Sequence, residues 1–193
     1  MLEEDLIAVL TASQDLGFLG ARPIPEVIDH ARAFVRALAG LTVEGDERPT
    51  IVDLGSGGGI PGLVIAADRP DVRLTLLDRR SKRTDFLDRM VHRLGWADRV
   101  DVVCDDAERV ADRLPGRFTV AVARGFGPPE LTLRLGAALV AAGGRIVISE
   151  PPADAGDGDR WDPELLRRLG VDRIEMPVPH AGEARVAIFR RRG

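Results

Sequence analysis

The sequence predicts an α/β fold, a doubly wound and mostly parallel sheet with an antiparallel C-terminal edge pair and an N-terminal helical extension. Three observations lead to it. Between about residues 50 and 149, short apolar runs alternate with helical patterns, the order that builds parallel strands covered by crossover helices. The glycine-rich "IVDLGSGGGIPG", Ile51 to Gly62, closes the first of those runs and opens the next helix, where doubly wound sheets meet ligands. Toward the end, "DRIEMPV" and "ARVAIFRRR" read as strands with no helix between them, which makes them antiparallel neighbours.

Residues 1–40 read as two helical pieces split by "ARPIP" at Ala21 to Pro25, because closely spaced prolines stop one helix and start another. The second piece, Glu26 to Ala39, sets Val27, His30, Ala31, Phe34 and Leu38 on one face. Then follow a strand over 50–54, a helix over 61–68, a strand over 73–77, a helix over 80–94 and a strand over 100–104. A short acidic helix over 106–113, a strand over 118–123, a helix over 129–141 and a strand over 145–149 complete the alternation. A Gly/Asp/Pro loop at 151–163 and a short helix lead into the edge pair. The expectation is a single domain over 1–193, with the helical extension at 1–45 and a ligand-binding core at 50–193.

Composition narrows the function classes. With 193 residues and 45% hydrophobic content, the chain has the makings of one globular core. Glu3, Glu4 and Asp5 stand where a signal peptide carries positive charge, and no apolar run reaches membrane-spanning length, so a cytoplasmic location and no membrane partner are expected. The single cysteine, Cys104, excludes an intramolecular disulfide and a cysteine-rich zinc site, and beside Val102 and Val103 it reads as a buried, inert thiol. His30, His92 and His180 show no ligand spacing, so no metal is expected. A net charge of −4 requires any nucleic acid to be met by a local basic patch.

The glycine loop admits few ligands. No Gly-Lys-Ser/Thr follows it, which removes a Walker phosphate loop. Gly57, Gly59 and Gly62 formally satisfy the dinucleotide pattern, and Asp78 after the second strand suits a ribose diol. Asp53, however, gives D-x-G-x-G-x-G over Asp53, Gly55, Gly57 and Gly59. A carboxylate there repels a pyrophosphate and suits the cationic aminoacyl end of S-adenosylmethionine.

These residues, with "CDDAE" at Cys104 to Glu108 after the third strand, resemble the class I S-adenosylmethionine-dependent methyltransferases and their Rossmann-like sheet. A narrower series, "DLGSGGGIPGLVIA", "LTLLDRRSKRTDFL", "DDAE", "VAVARGFGPPELTL" and "GGRIVI", is similar to the glucose-inhibited division protein B family. That resemblance covers about residues 50–149 and implies methylation of a guanine N7 in small-subunit (16S) ribosomal RNA, with S-adenosyl-L-methionine as cofactor and the small ribosomal subunit or its RNA as partner. It implies Gly55, Ile60, Ala107, Glu108 and Arg124 as cofactor-binding positions, joined on class grounds by Asp53, Gly57, Gly59 and Asp78. The sequence departs from the family in three places. The Asn-Leu-Thr signature is missing from residues 1–49, the usual Ser-Arg-Ala is Ala123-Arg124-Gly125, and Ser149-Glu150-Pro151-Pro152 replaces a Lys-Gly pair.

Guanine N7 already carries a lone pair, so its methylation needs alignment more than a base. In keeping with that, no Asn/Asp-Pro-Pro-aromatic motif follows the fourth strand, and Arg124 is the candidate positioning residue at the catalytic centre. The helix over 80–94 and its flanks, from Asp78 to Arg99, carry an excess of three positive charges. Within it Lys82 and Arg83 are expected to bind RNA phosphate, and Phe126 to stack on a base. The acidic overall charge and Glu150 leave a small-molecule methyltransferase open as the alternative, and a non-catalytic S-adenosylmethionine-binding protein as another.

Overall fold

The computed structural model describes residues 2–41, 48–151, 160–174 and 184–193. Two helices lead, α1 (Leu2–Asp15) and α2 (Ile24–Ala37). There follow β1 (Thr50–Leu54), α3 (Gly62–Asp68), β2 (Arg73–Asp78), α4 (Ser81–Arg93), β3 (Val100–Cys104), α5 (Ala107–Arg113), β4 (Phe118–Ala123), α6 (Pro129–Leu139) and β5 (Val140–Ser149). After these come α7 (Pro163–Leu169), β6 (Val171–Ile174) and β7 (Val186–Arg191). The sheet order is β3-β2-β1-β4-β5-β7-β6. Strands β3 through β5 run parallel, while β7 is antiparallel to both β5 and β6. The expected doubly wound sheet with its antiparallel edge pair is present, and the strand order reverses between β1 and β4, which makes the crevice above those strand ends the natural ligand position.

Strand β1 shows why the sheet is covered on both sides. Ile51 joins the apolar cluster under α1, α2, α3 and α4, whereas Val52 and Leu54 join the cluster under α5, α6 and α7. A strand buried on both faces reads as a continuous apolar run. Helix α2 turns Val27, Ala31 and Phe34 inward as its periodicity predicts, with Ile24 and Ile28 beside them. His30 lies only partly covered, its ring 2.8 Å from an Arg22 nitrogen.

Two expectations require correction. Cys104 is exposed, because it ends the edge strand β3, which has a neighbour on one side only and leaves Val102 and Val103 half-covered. Strand β5 begins at Val140, five residues early. Its pairing with β4 jumps from Phe118↔Val140 to Val120↔Arg145, and the irregularity includes Gly143 at φ 76°. His180, with the rest of residues 175–183, and most of the loop expected at 151–163 lie outside the described residues.

The N-terminal helices share the main core. Leu6, Val9 and Leu10 of α1 are fully enclosed. Arg145 of β5 donates from Nη1 to the carbonyl oxygens of Ala37 and Ala39, at 3.2 and 3.0 Å. It thereby satisfies acceptors at the end of α2 that no intrahelical partner reaches.

Candidate cofactor and substrate site

The glycine loop crosses the carboxyl ends of β1 and β2 and is tied down by two carboxylates. Asp78, the last residue of β2, accepts from the backbone N–H of Gly57 at 3.0 Å through Oδ2 and from that of Arg80 at 2.9 Å through Oδ1. Asp53 of β1 accepts from the N–H of Gly62, the first residue of α3, at 3.0 Å through Oδ2. Gly57 and Gly59 take φ of 55° and 99°, conformations that a residue with Cβ adopts only with strain.

Asp53 is completely enclosed, and its Oδ1 has no hydrogen-bond partner. Burial pushes its carboxyl up to about 7, opposed by the Gly62 N–H and the positive charge of Arg124, and assisted by the negative charge of Asp78. Its contribution is therefore to the loop beneath the ligand position and to the field there. Asp78, 6% exposed, keeps unused acceptor capacity on both oxygens.

Three neighbours close around the loop. Ser13 of α1 donates from Oγ to the carbonyl oxygen of Gly58 at 2.8 Å. The Phe126 ring lies over Gly55, where an added Cβ would stand 2.7 Å from Cδ2. Arg83 folds back, its Nη1 3.6 Å from Asp78 Oδ2 and 3.4 Å from where a Gly57 Cβ would be. Ile60 is buried in the core, so only its backbone faces the loop's surroundings. Ala107 and Glu108 open α5 after β3, capped by Asp106 Oδ1, which accepts from the Glu108 N–H at 2.9 Å. The Glu108 side chain is exposed and pairs with Arg134 at 2.7 Å.

Arg124 follows β4 at the sheet's carboxyl edge and is exposed. Asp105, the acid that follows β3, is held by Arg113 at 2.5 Å and Arg109 at 3.5 Å. Among the described residues the Arg124 guanidinium makes no hydrogen bond or ion pair, leaving its five donors for a ligand. Protein around it lowers its pKa by desolvation, against the attraction of Asp53, and nearby Arg22 lowers it further.

Two depressions flank the loop. One, of about 580 Å³, is lined by Leu16, Gly17 and Phe18 after α1 and by Arg79, Arg80, Ser81, Lys82 and Arg83 at the start of α4. The side chains of Arg79, Arg80 and Lys82 find no carboxylate among the described residues, although Arg32, Arg69, Arg113, Arg134, Arg168 and Arg192 elsewhere all do. The other, of about 260 Å³, lies at the ends of β4 and β5, with Phe126, Ser149, Glu150 and Arg160 in its lining. Lys82 thus opens onto a cationic groove, and Arg83, which also lines it, turns its guanidinium toward Asp78 and the glycine loop. No local sequence pattern signals Ser13 on Gly58, 45 residues apart, or the wall formed by Leu16 to Phe18.

Comparison with known proteins decides the family. The family model described as GidB, rRNA small subunit methyltransferase G, matches residues 4–151. The chain belongs to this family. The GidB match begins inside α1, so the likeness extends well beyond the expected 50–149 and takes in both N-terminal helices. Among curated relatives, the ribosomal RNA small subunit methyltransferase G of Nocardioides sp. is 36% identical over 155 residues, covering 78% of this chain and 58% of its own length. The protein of the same name from Frankia casuarinae is 36% identical over 138 residues, covering 66% and 52%. The chain thus spans little more than half the length of these two relatives.

Solved structures agree on the fold alone. An O-methyltransferase family protein from Burkholderia thailandensis superposes with a TM-score of 0.60 at 16% identity, over 86% of this chain and 57% of its own. The cyclase SpnF does so with a TM-score of 0.57 at 21% identity, over 74% and 58%. A fold shared with a cyclase does not fix a reaction, so function rests on the family and the site. Among the described residues, no group of three His, Cys, Asp or Glu side chains is placed to hold a metal, and no helix is long and apolar enough to cross a membrane.

Proposed function

We propose that this GidB-family protein methylates guanine N7 in small-subunit ribosomal RNA, using S-adenosylmethionine. The observation that carries the reading is the glycine loop at the switch point, held by Asp53 and Asp78, in a chain whose family is described as rRNA small subunit methyltransferase G. The residues fit the cofactor. Asp78 has acceptor capacity for ribose hydroxyls, the positive φ of Gly55, Gly57 and Gly59 keeps side chains off that part of the loop, and Asp53 adds a negative field under a cationic group once its carboxyl ionises. S-adenosylmethionine supplies an electrophilic methyl group on a sulfonium.

The chain's own residues then bind and align. Ala107 and Glu108 present the start of α5 to the adenine side. Arg124, with its donors unclaimed, orients an acceptor on either ligand, the cofactor carboxylate or guanine O6. Arg79, Arg80 and Lys82 line a groove that suits RNA phosphates. Phe126 offers a ring face beside the loop. No proton has to leave N7 before attack, so alignment and fixed charges carry the reaction. A cytoplasmic site of action follows from a ribosomal substrate.

Mapping N7-methylguanosine in small-subunit RNA from cells with and without the gene tests the reading, together with transfer of labelled methyl by the purified protein. One modified guanine lost with the gene and restored by the protein is expected. An unchanged map, or purified protein that calorimetry finds to bind NAD and not S-adenosylmethionine, overturns it.

A further inference from the structure

The 260 Å³ depression beyond Phe126 carries chemistry that the glycine loop does not use. Its floor is Ala123 and Ile148 at the ends of β4 and β5, and its rim includes Ser149, Glu150 and Arg160. Glu150 is fixed in place. Its carboxylate accepts from the indole N–H of Trp161 at 2.8 Å through Oε1, and its backbone N–H donates to the Arg185 carbonyl at 2.8 Å. Trp161 is itself 2% exposed and packed edge-on against Phe189, with centroids 4.7 Å apart. Glu150 Oε2 and the Ser149 hydroxyl make no hydrogen bond among the described residues, while Thr132 Oγ1 is committed to the Pro128 carbonyl at 2.9 Å. The pocket therefore offers an immobilised carboxylate with one oxygen free, in a volume suited to a single heterocycle.

We propose that this pocket receives the target guanine and that Glu150 reads its Watson–Crick edge. A carboxylate is an acceptor-only group able to take two neighbouring N–H bonds. Guanine presents N1–H beside the N2 amino group on that edge. Adenine and cytosine present a ring acceptor there, and uracil one N–H between two carbonyl groups, so none offers the adjacent pair of donors. Holding guanine by N1 and N2 leaves N7 at the opposite edge of the ring. Phe126 forms one wall of the pocket and also lies on Gly55, so the pocket and the glycine loop share a partition. The exchange of a cation for an anion at Glu150 becomes a specificity device, base readout by an edge-on carboxylate.

The inference rests on guanine as the target and is tested apart from methyl transfer. Full-length protein with S-adenosylhomocysteine is titrated with guanosine, inosine (which lacks the N2 amino group) and adenosine, following Trp161 fluorescence in a Trp96→Phe background. Guanosine is expected to bind about tenfold or more tightly than either competitor, as a bidentate pair discriminates. Glu150→Gln, whose amide oxygen still accepts from Trp161, should bring guanosine and inosine to within about threefold, with an unchanged circular dichroism spectrum. Equal binding of the three nucleosides, no guanosine binding at millimolar concentration, or an undiminished preference in Glu150→Gln overturns the assignment. Methyl transfer to small-subunit RNA with nucleoside preference untouched by Glu150→Gln defeats the pocket alone. Guanosine preference without transfer to that RNA defeats the ribosomal reading alone.

Discussion

Asp53 is a carboxylate removed from water and left with one unsatisfied oxygen, and its titration has a definite sign. Below about pH 4 the carboxyl is protonated in folded and unfolded chains alike. Between there and its raised value of about 7 only the unfolded chain ionises, so stability falls as pH rises through that window and levels above it. The fall is at most about 4 kcal/mol, at about 1.4 kcal/mol per unit. Asp53→Asn should flatten that part of the curve, and urea unfolding across pH 4 to 8 measures it; a slope of the same size in the variant removes Asp53 as its source. Arg124 is tested differently, because Arg124→Lys keeps the charge and loses the planar fork. A group that orients a ligand predicts a tenfold or larger drop in single-turnover methyl transfer, about 1.4 kcal/mol or more. Normal turnover would leave Arg124 as a counter-charge to Asp53.

The turn from β1 into α3 is legible in the sequence because its requirements are local. Positive φ selects glycine at 57 and 59, and a strand-end acid must meet the backbone it faces. Gly62 has no such φ; what it needs is space, since a Cβ there would collide with Leu76 and stand 2.6 Å from Asp53 Oδ2. Gly62→Ala should cost about 1–3 kcal/mol by overpacking and raise the cofactor dissociation constant, checked by thermal unfolding and calorimetry. An equally stable variant would show that the loop yields. The entry to α4 was only partly legible. Lys82 and Arg83 are adjacent in sequence and both line the groove, yet only Arg83 has its guanidinium drawn to the glycine loop, by the nearby charge of Asp78. Replacing Arg79, Arg80 and Lys82 with alanine should flatten log K against log salt for RNA by about 2 to 3 units, whereas Arg83→Ala should act on cofactor affinity. An unchanged salt slope in the triple variant would return that face to bulk solvent.

Across the whole molecule, what sequence patterns missed are contacts between distant segments. Alternation gave the strands and their order of appearance, but no local pattern encodes that α1 lies on the glycine loop, that Trp161 fixes Glu150, or that β3 is an edge and so exposes Cys104. The same holds for the reach of the family likeness, which takes in α1 and α2 although residues 1–49 lack the Asn-Leu-Thr signature. Both helices belong to the core that supports the sheet, and Arg145 fastens the second of them to β5.

The bond from Ser13 to the Gly58 carbonyl joins α1 to the glycine loop. Thermodynamic coupling is mutual, so whatever free energy α1 lends to ligand binding at the loop, the ligand returns as resistance of α1 to opening. Bound S-adenosylhomocysteine should therefore slow amide hydrogen exchange along Leu2 to Asp15, a segment whose described contacts run through the loop and the core and never through the pocket beyond Phe126. Ser13→Ala should shrink that protection and weaken the ligand by the same factor. Exchange rates in α1 indifferent to the ligand would mean that the helix covers the loop without sensing it.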